Sequence, residues 1–413
     1  MALCSVAHAN DIVTQDDMMD LKMPLARRGF LTTALGGMAC AAIPARAASE
    51  ATASPPSVIS QPVRQWGSAA GPAYFPDPDV LALDPSFNAL TYFAAPIKRI
   101  WDKGIWSEGP AWSSEGRYLV FSDVVQSKAL RYIWETGEVT EFRADSYSAN
   151  GNCFDYQGRL ITCEDFFRRV VRFEHDGSVT VLADKFEGKG LNSPNDVVIH
   201  PDGSIWFTDP GYGTNITEGH ADEPGGPTNP DGKIKWKIGR ELIGEIGGTK
   251  RQQDHVFRLA PDGTLKAVLA EKDITCPNGL VFSPDFKKLY IASTPAGPGQ
   301  KKGGDQAIHV YDVQGDSLTN GRVFADMRFH GAQMNPDGFR ADVFGNLWCG
   351  VTGPLGLCGV FVFNPLGVLI GRIRLPQGCS NLTFAGPKRD HIIMCAGSAL
   401  FMLQVGVQGA APS

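Results

Sequence analysis

Six short polar motifs hold most of the residues in this chain whose types could do chemistry together. Glu108 opens Glu-Gly-Pro-Ala-Trp, and Asn150 opens Asn-Gly-Asn-Cys-Phe-Asp. Asn195 stands in Ser-Pro-Asn-Asp-Val, Asn278 in Pro-Asn-Gly-Leu-Val-Phe, Asp337 in Pro-Asp-Gly-Phe, and Asn381 heads Asn-Leu-Thr-Phe-Ala. Brought together, these carboxylates and carboxamides are hard oxygen donors with no thiolate or imidazole among them. Such a set suits Ca²⁺ or Mg²⁺ and is poor for Zn²⁺. An ion held this way can polarise a carbonyl oxygen and position a water, which is the core of metal-assisted hydrolysis. Taken singly, each motif reads as well as a tight turn, because Asn, Asp and Gly are turn residues. Glu108 is the exception, since Glu is poor in turns. No G-x-S-x-G elbow occurs, which disfavours a His-Ser-Asp hydrolase. His175 and His200 belong to turn-like His-Asp-Gly and His-Pro-Asp-Gly runs.

What sets the six apart from stray turns is their recurrence. Successive motifs, from residue 108 to 381, are 42, 45, 83, 59 and 44 residues apart. The two long steps contain insertions: 214–249, rich in Gly, Pro and charge, and a shorter run from Pro295 to Asp305. A unit of about 40 to 50 residues with four short strands is a β-propeller blade. In the first unit the strands fall at Ala111-Trp112, Tyr118–Phe121, Ala129–Tyr132 and Val139–Phe142. The spacing therefore predicts an all-β, six-bladed propeller with four-stranded blades over residues 90–413. The last unit has strands for only part of a blade, so the strand around Ile97–Ile100 is expected to close the ring against the carboxyl-terminal sheet and hide two open edges. The first strand of each propeller blade lines the central channel, so all six opening residues should reach one mouth.

The remaining chain bounds partners and compartment. With 44 acidic and 38 basic residues and no dense Lys/Arg run, a nucleic-acid surface has little support and a small or neutral partner fits better. Arg27-Arg28-Gly29-Phe30-Leu31, a modest apolar run from Thr32 to Ile43, and Ala45-Arg46-Ala47 follow the plan of a twin-arginine export signal over residues 1–47. Passage through the twin-arginine machinery to the periplasm is expected, and the apolar run is too short to be a stable membrane anchor. Residues 48–89 read as a linker or a wrapping segment. Beyond the leader, seven scattered cysteines without C-x-x-C spacing argue against a zinc site and read mostly as buried small hydrophobes. Cys379 with Cys395, and Cys349 with Cys358, are the pairs that hairpins could bring face to face.

These motifs, in this order and spacing, resemble the gluconolactonase, senescence marker protein and luciferin-regenerating-enzyme family of six-bladed propellers over roughly residues 95–405. Gly158-Arg159-Leu160, Cys163-Glu164, Arg168-Arg169-Val170 and Phe207–Gly213 are similar to the secreted bacterial gluconolactonases in particular. The resemblance implies a divalent ion, usually calcium (alternatives Mg²⁺, Mn²⁺ or Zn²⁺), held by Glu108, Asn195, Asn278 and Asp337. It implies hydrolysis of a sugar lactone, with Asp337 doubling as acid or base and Asn195 touching substrate as well as metal. Asn150, Glu164 and Tyr212 are further candidates for substrate contact. One departure stands out: related enzymes often carry His after Cys-Glu, where this chain has Asp165-Phe166. The 214–249 insertion reads as a lid over the funnel. Esterase or organophosphate chemistry on the same ion, and a ligand-binding propeller without catalysis, are the competing readings.

Overall fold

The computed structural model describes residues 54–212, 252–296 and 302–410, so the leader and the 214–249 insertion lie outside the described residues. The described residues form six antiparallel sheets of four or five strands, arranged as blades. Blade one is Ser107–Ser113, Tyr118–Asp123, Lys128–Ile133 and Val139–Arg143; blade two is Ala149–Phe154, Leu160–Glu164, Arg169–Phe173 and Val179–Ala183. Blade three takes Val197–Ile199, Ile205–Asp209, His255–Leu259 and Leu265–Ala270, and blade four Pro277–Phe282, Lys288–Ser293, Ala307–Gln314 and Ser317–Ala325. Blade five starts with Asn335–Ala341, Leu347–Thr352, Gly359–Phe363 and Leu369–Arg374, and blade six with Cys379–Ala385, His391–Ala396 and Ala399–Gln404. The inner strands touch in cyclic order, Cys379–Ala385 returning to Ser107–Ser113, and this closes the wheel.

The blades cohere because each inner strand is buried on both faces while the outer strands are half exposed. Ser107–Ser113 and Cys379–Ala385 are buried throughout, whereas Val139–Arg143 is only partly covered. Apolar side chains fill each gap between neighbouring sheets. Ala111 and Val120 meet Phe154 and Leu160 between blades one and two, and Trp348 and Val362 meet Phe384 and Ile392 between blades five and six. The seven cysteines are buried thiols. Cys153 and Cys163 pack between blades two and three, and Cys349 between four and five, so they act as the small hydrophobes the sequence suggests. Burial of that apolar surface, at about 25 cal/mol per Å², is the main force holding sheet to sheet.

Blade six is completed by Lys98–Trp101, which pairs with its last strand through Lys98 opposite Met402 and Arg99 opposite Phe401. Blade five departs from four strands. Val80–Ala82, from the stretch read as linker, adds a fifth strand with Val80 opposite Ile373. The preceding residues wrap the same edge through charge. Arg64 pairs with Asp77 at 2.6 Å, and Asp79 lies 3.1 Å from Nε of Arg374 in blade five. No helix among the described residues is long and apolar enough to cross a membrane.

Candidate active site at one mouth of the channel

Five of the six inner strands share one irregularity, blade three being the exception, and it falls where the sequence places its chemistry. Pairing with the second strand slips between Glu108 and Ala111, Ala149 and Asn152, Pro277 and Leu280, Pro336 and Phe339, and Cys379 and Asn381. A bulge leaves a residue out of the ladder and re-aims its side chain. Glu108, Asn150, Asn278 and Asp337 all lie inside such slips. The Asn-Gly and Asp-Gly pairs that resemble turns are therefore bulges within strands. Their glycines serve close approach: a Cβ on Gly279 would lie 2.2 Å from the Asp337 carbonyl oxygen, and one on Gly338 would lie 2.1 Å from Asn381 Cγ. Hydrogen bonds lock neighbouring blades at the same level. Ser122 Oγ donates to the Asn150 carbonyl at 2.9 Å, Gly151 N to Asn195 O at 2.7 Å, and Thr208 Oγ1 to Asn278 O at 2.8 Å.

Glu108, Asn195, Asn278 and Asp337 are all buried at this mouth. The electrostatics show that the two carboxylates are neighbours. Burial, then the charges of Asp337 and Asp196, hold the Glu108 carboxyl well above its usual range. Burial and the charge of Asp196 push Asp337 up to about 7, partly offset by a hydrogen bond from the Asn278 side chain. Among the described residues, neither carboxylate has an ion-pair partner. Two buried like charges beside two carboxamides, with no described cation to relieve them, are what a hard divalent ion requires, so this donor set fits the ion the sequence implies. Clusters of three or more His, Cys, Asp or Glu are absent among the described residues, so any such site depends on Asn oxygens.

Beneath the mouth lies a polar floor that the sequence reading missed. Asp196 of blade three meets Asn381 of blade six, whose Nδ2 lies 3.5 Å from its Oδ2, and Arg340 of blade five, whose Nη1 is 3.9 Å from Oδ2. Blades three and six stand opposite each other in a six-membered ring, so their side chains meet on the axis and narrow the channel there. Asp196 was hidden beside Asn195, where one residue per blade had been assigned; the consecutive Asn-Asp at the start of a buried strand was the available signal.

The other candidates fall in different places. Asn150 is buried at the mouth, with its backbone oxygen engaged by Ser122. Tyr212 is buried, donates to the Cys276 carbonyl at 3.2 Å, and senses the Asp337 charge, so it packs close to the carboxylates. Glu164, a candidate for substrate contact in the sequence, is engaged by protein side chains. It ends the second strand of blade two, and both its oxygens are taken, one by Arg143 Nη1 at 2.8 Å and the other by Arg169 Nε at 2.6 Å. Asp209, at the end of the second strand of blade three, accepts from the N–H groups of Asn192 at 2.9 Å and Ser193 at 2.8 Å and so fixes the run leading to Asn195.

A six-bladed propeller with a carboxylate and carboxamide cluster at one mouth is the class these features define. Residues 106–398 match the SMP-30/Gluconolactonase/LRE-like region, and the chain belongs to that family. It is 28% identical over 339 residues to a gluconolactonase of Zymomonas mobilis, covering 77% of this chain and 83% of that protein. It is 28% identical over 205 residues to a pentonolactonase of Haloferax volcanii, covering 48% of this chain and 64% of that one. The solved structure of a gluconolactonase from Xanthomonas campestris superposes with a TM-score of 0.64 at 31% identity, covering 81% of this chain and 97% of the other.

Proposed function

We propose that this protein hydrolyses a sugar lactone of the aldonolactone type to the open hydroxy acid, working on a calcium ion and exported to the periplasm by its twin-arginine leader. The observation that carries the reading is the burial of Glu108 and Asp337 within reach of each other's charge beside Asn195 and Asn278. Likeness to the Zymomonas and Xanthomonas gluconolactonases supports the lactone class.

Glu108, Asn195, Asn278 and Asp337 would hold the ion, which when bound supplies Lewis-acid polarisation of the lactone carbonyl and charge for the developing oxyanion. The remaining chemistry belongs to the chain. Asp337 takes the proton from the attacking water and returns it to the ring oxygen as the acyl–oxygen bond breaks. Asn278 donates to Asp337 and keeps the carboxylate aimed. Asn195 and Asn150 can present amide N–H groups to the hydroxyls of a polyol ring; a bulge holds Asn150 on its strand, and the Asn195 N–H is fixed on the Thr208 carbonyl at 2.9 Å. The floor of Asp196, Asn381 and Arg340 bounds the site below, so substrate enters and leaves by one mouth.

The test is a hydrolysis panel of aldonolactones and simple esters on purified protein with Ca²⁺, Mg²⁺, Mn²⁺, Zn²⁺ or a chelator. Aldonolactone turnover that needs a divalent ion is expected. Faster turnover of open-chain esters would move the substrate class, and full activity in chelator would remove the ion. Asp337→Ala should abolish turnover with the β-rich circular dichroism unchanged; retained turnover would end its role as base.

A further inference from the structure

The inner strands run away from the carboxylates toward a second, chemically opposite end of the channel. Their downstream residues Val197–Ile199, Val281-Phe282 and Arg340-Ala341, joined by Arg389, line a small cavity there of about 30 Å³. At about 3.3 Å per residue, Phe282 lies some 13 Å along its strand from Asn278, so this cavity is distinct from the site above. Its walls are mainly aliphatic and aromatic, and its polar groups are guanidinium donors.

Arg340 is buried, with side-chain exposure of 6%. Its Nη1 donates to the Phe339 carbonyl at 2.9 Å, but Nε and Nη2 are buried and have no protein acceptor. Arg389 also lines the cavity, and its Nε is likewise buried without an acceptor. Burial alone pulls the Arg389 guanidinium below its usual range, with no carboxylate offsetting it. Asp196 pairs with Arg340 at 3.9 Å, while the half-buried Arg389 has no ion-pair partner among the described residues, so one guanidinium charge at this end is left without a described carboxylate. Buried charge without a counter-charge is costly, and buried N–H groups without acceptors add to that cost.

We propose that this far cavity binds one small monovalent anion of halide size, held by Arg340 Nε and Nη2 and by Arg389 Nε. Size and charge select the class. A cavity of this volume has room for a small anion and is tight for a phosphate or a sugar acid. A water molecule would satisfy the donors but leave the charge; a halide satisfies both. Arg340 also forms part of the floor below the carboxylate mouth, but its Nε and Nη2 and the Arg389 guanidinium take no part in lactone hydrolysis, so anion binding stands or falls apart from that reading.

Crystals of the protein soaked in bromide and measured at the bromine absorption edge should show an anomalous peak within hydrogen-bonding reach of Arg340 Nε and Nη2. In solution, chloride or bromide should raise the thermal midpoint by about 2–4 °C over methanesulfonate, an anion too large for the cavity, at matched ionic strength. Arg340→Met should abolish that rise and Arg389→Gln should reduce it. If Arg340→Met does not fold, Arg389→Gln carries the comparison. Density with no anomalous signal would mean water alone and would overturn the proposal. A peak without a thermal rise at physiological salt would mean an adventitious ion only and would overturn it as well.

Discussion

The two ends of the channel are built from the same six strands and carry opposite electrostatic debts. At the upper mouth Glu108 and Asp337 face each other with no described ion-pair partner. At the far end Arg340 takes the carboxylate of Asp196, which stands between the two zones, and Arg389 lines the same cavity with no described ion-pair partner. Strand geometry explains why both imbalances survive. The inner strands are fixed on both faces by apolar packing between blades, so neither end can relax to bring in a counter-charge or open to water. The difference between the ends teaches where function lies: a buried charge with no partner among the described residues, held in a rigid ring, is a place for an opposite charge to bind.

The sharpest way to break this comparison is to neutralise the upper mouth. Glu108→Gln and Asp337→Asn should each lower lactone turnover by about 10³-fold or more, because the first removes a charged donor to the ion and the second removes both such a donor and the proton acceptor. Both carboxyl pKa values are raised, so ionising these groups in the folded state works against folding at neutral and higher pH. The same substitutions should therefore stabilise the protein in chelator by about 1 kcal/mol at pH 8, read from urea midpoints. A loss of stability there would mean that the carboxylates are structural.

At the other end the sign reverses. Arg340→Met leaves Asp196 buried with neutral donors alone, Asn381 Nδ2 and the Val197 N–H among them, and should cost about 2–4 kcal/mol in urea unfolding. Adding Asp196→Asn should recover much of that loss. Simple additivity of the two would show that they do not share a partner. Between the ends, Gly338→Ala tests the packing that places the mouth. Its Cβ would meet the Asn381 side chain at 2.1 Å. We expect a cost of about 2 kcal/mol, with kcat falling because Asp337 is displaced.

These contrasts were unevenly legible in the sequence. The wheel could be read because blades repeat at a fixed length and the long steps hold visible insertions. The mouth could be read because Glu108, Asn195, Asn278 and Asp337 recur at equivalent places. The cause of that recurrence could not, since a bulge and a turn call for the same Asn-Gly and Asp-Gly pairs and only strand register separates them. Val80–Ala82 escaped because three residues carry no periodicity and their partner, Ile373, is distant in the chain. Arg340 looked like an ordinary strand position, since nothing local shows that Asp196, far upstream, meets it on the axis. Glu164 looked available because its two arginine partners come from neighbouring strands.

The smallest effect concerns a third buried carboxylate at the upper mouth. Asp209 holds the Asn192 and Ser193 N–H groups, and burial raises its pKa from 3.8 to about 7 against those hydrogen bonds, with Asp254 adding to the rise and Arg168 opposing it. A raised carboxyl pKa means that the folded chain keeps a proton the unfolded chain has already lost. Its contribution to stability must therefore decline as pH climbs from about 4 to about 7 and then level off. Asp209→Asn cannot titrate, so the stability of the natural protein relative to the variant should fall steadily between pH 4.5 and 7.5, measured by urea unfolding in chelator. Parallel profiles across that window would show that the two backbone N–H groups outweigh burial and keep Asp209 ionised. The excess of buried negative charge would then be confined to Glu108 and Asp337, and the contrast between the two ends would rest on those two side chains alone.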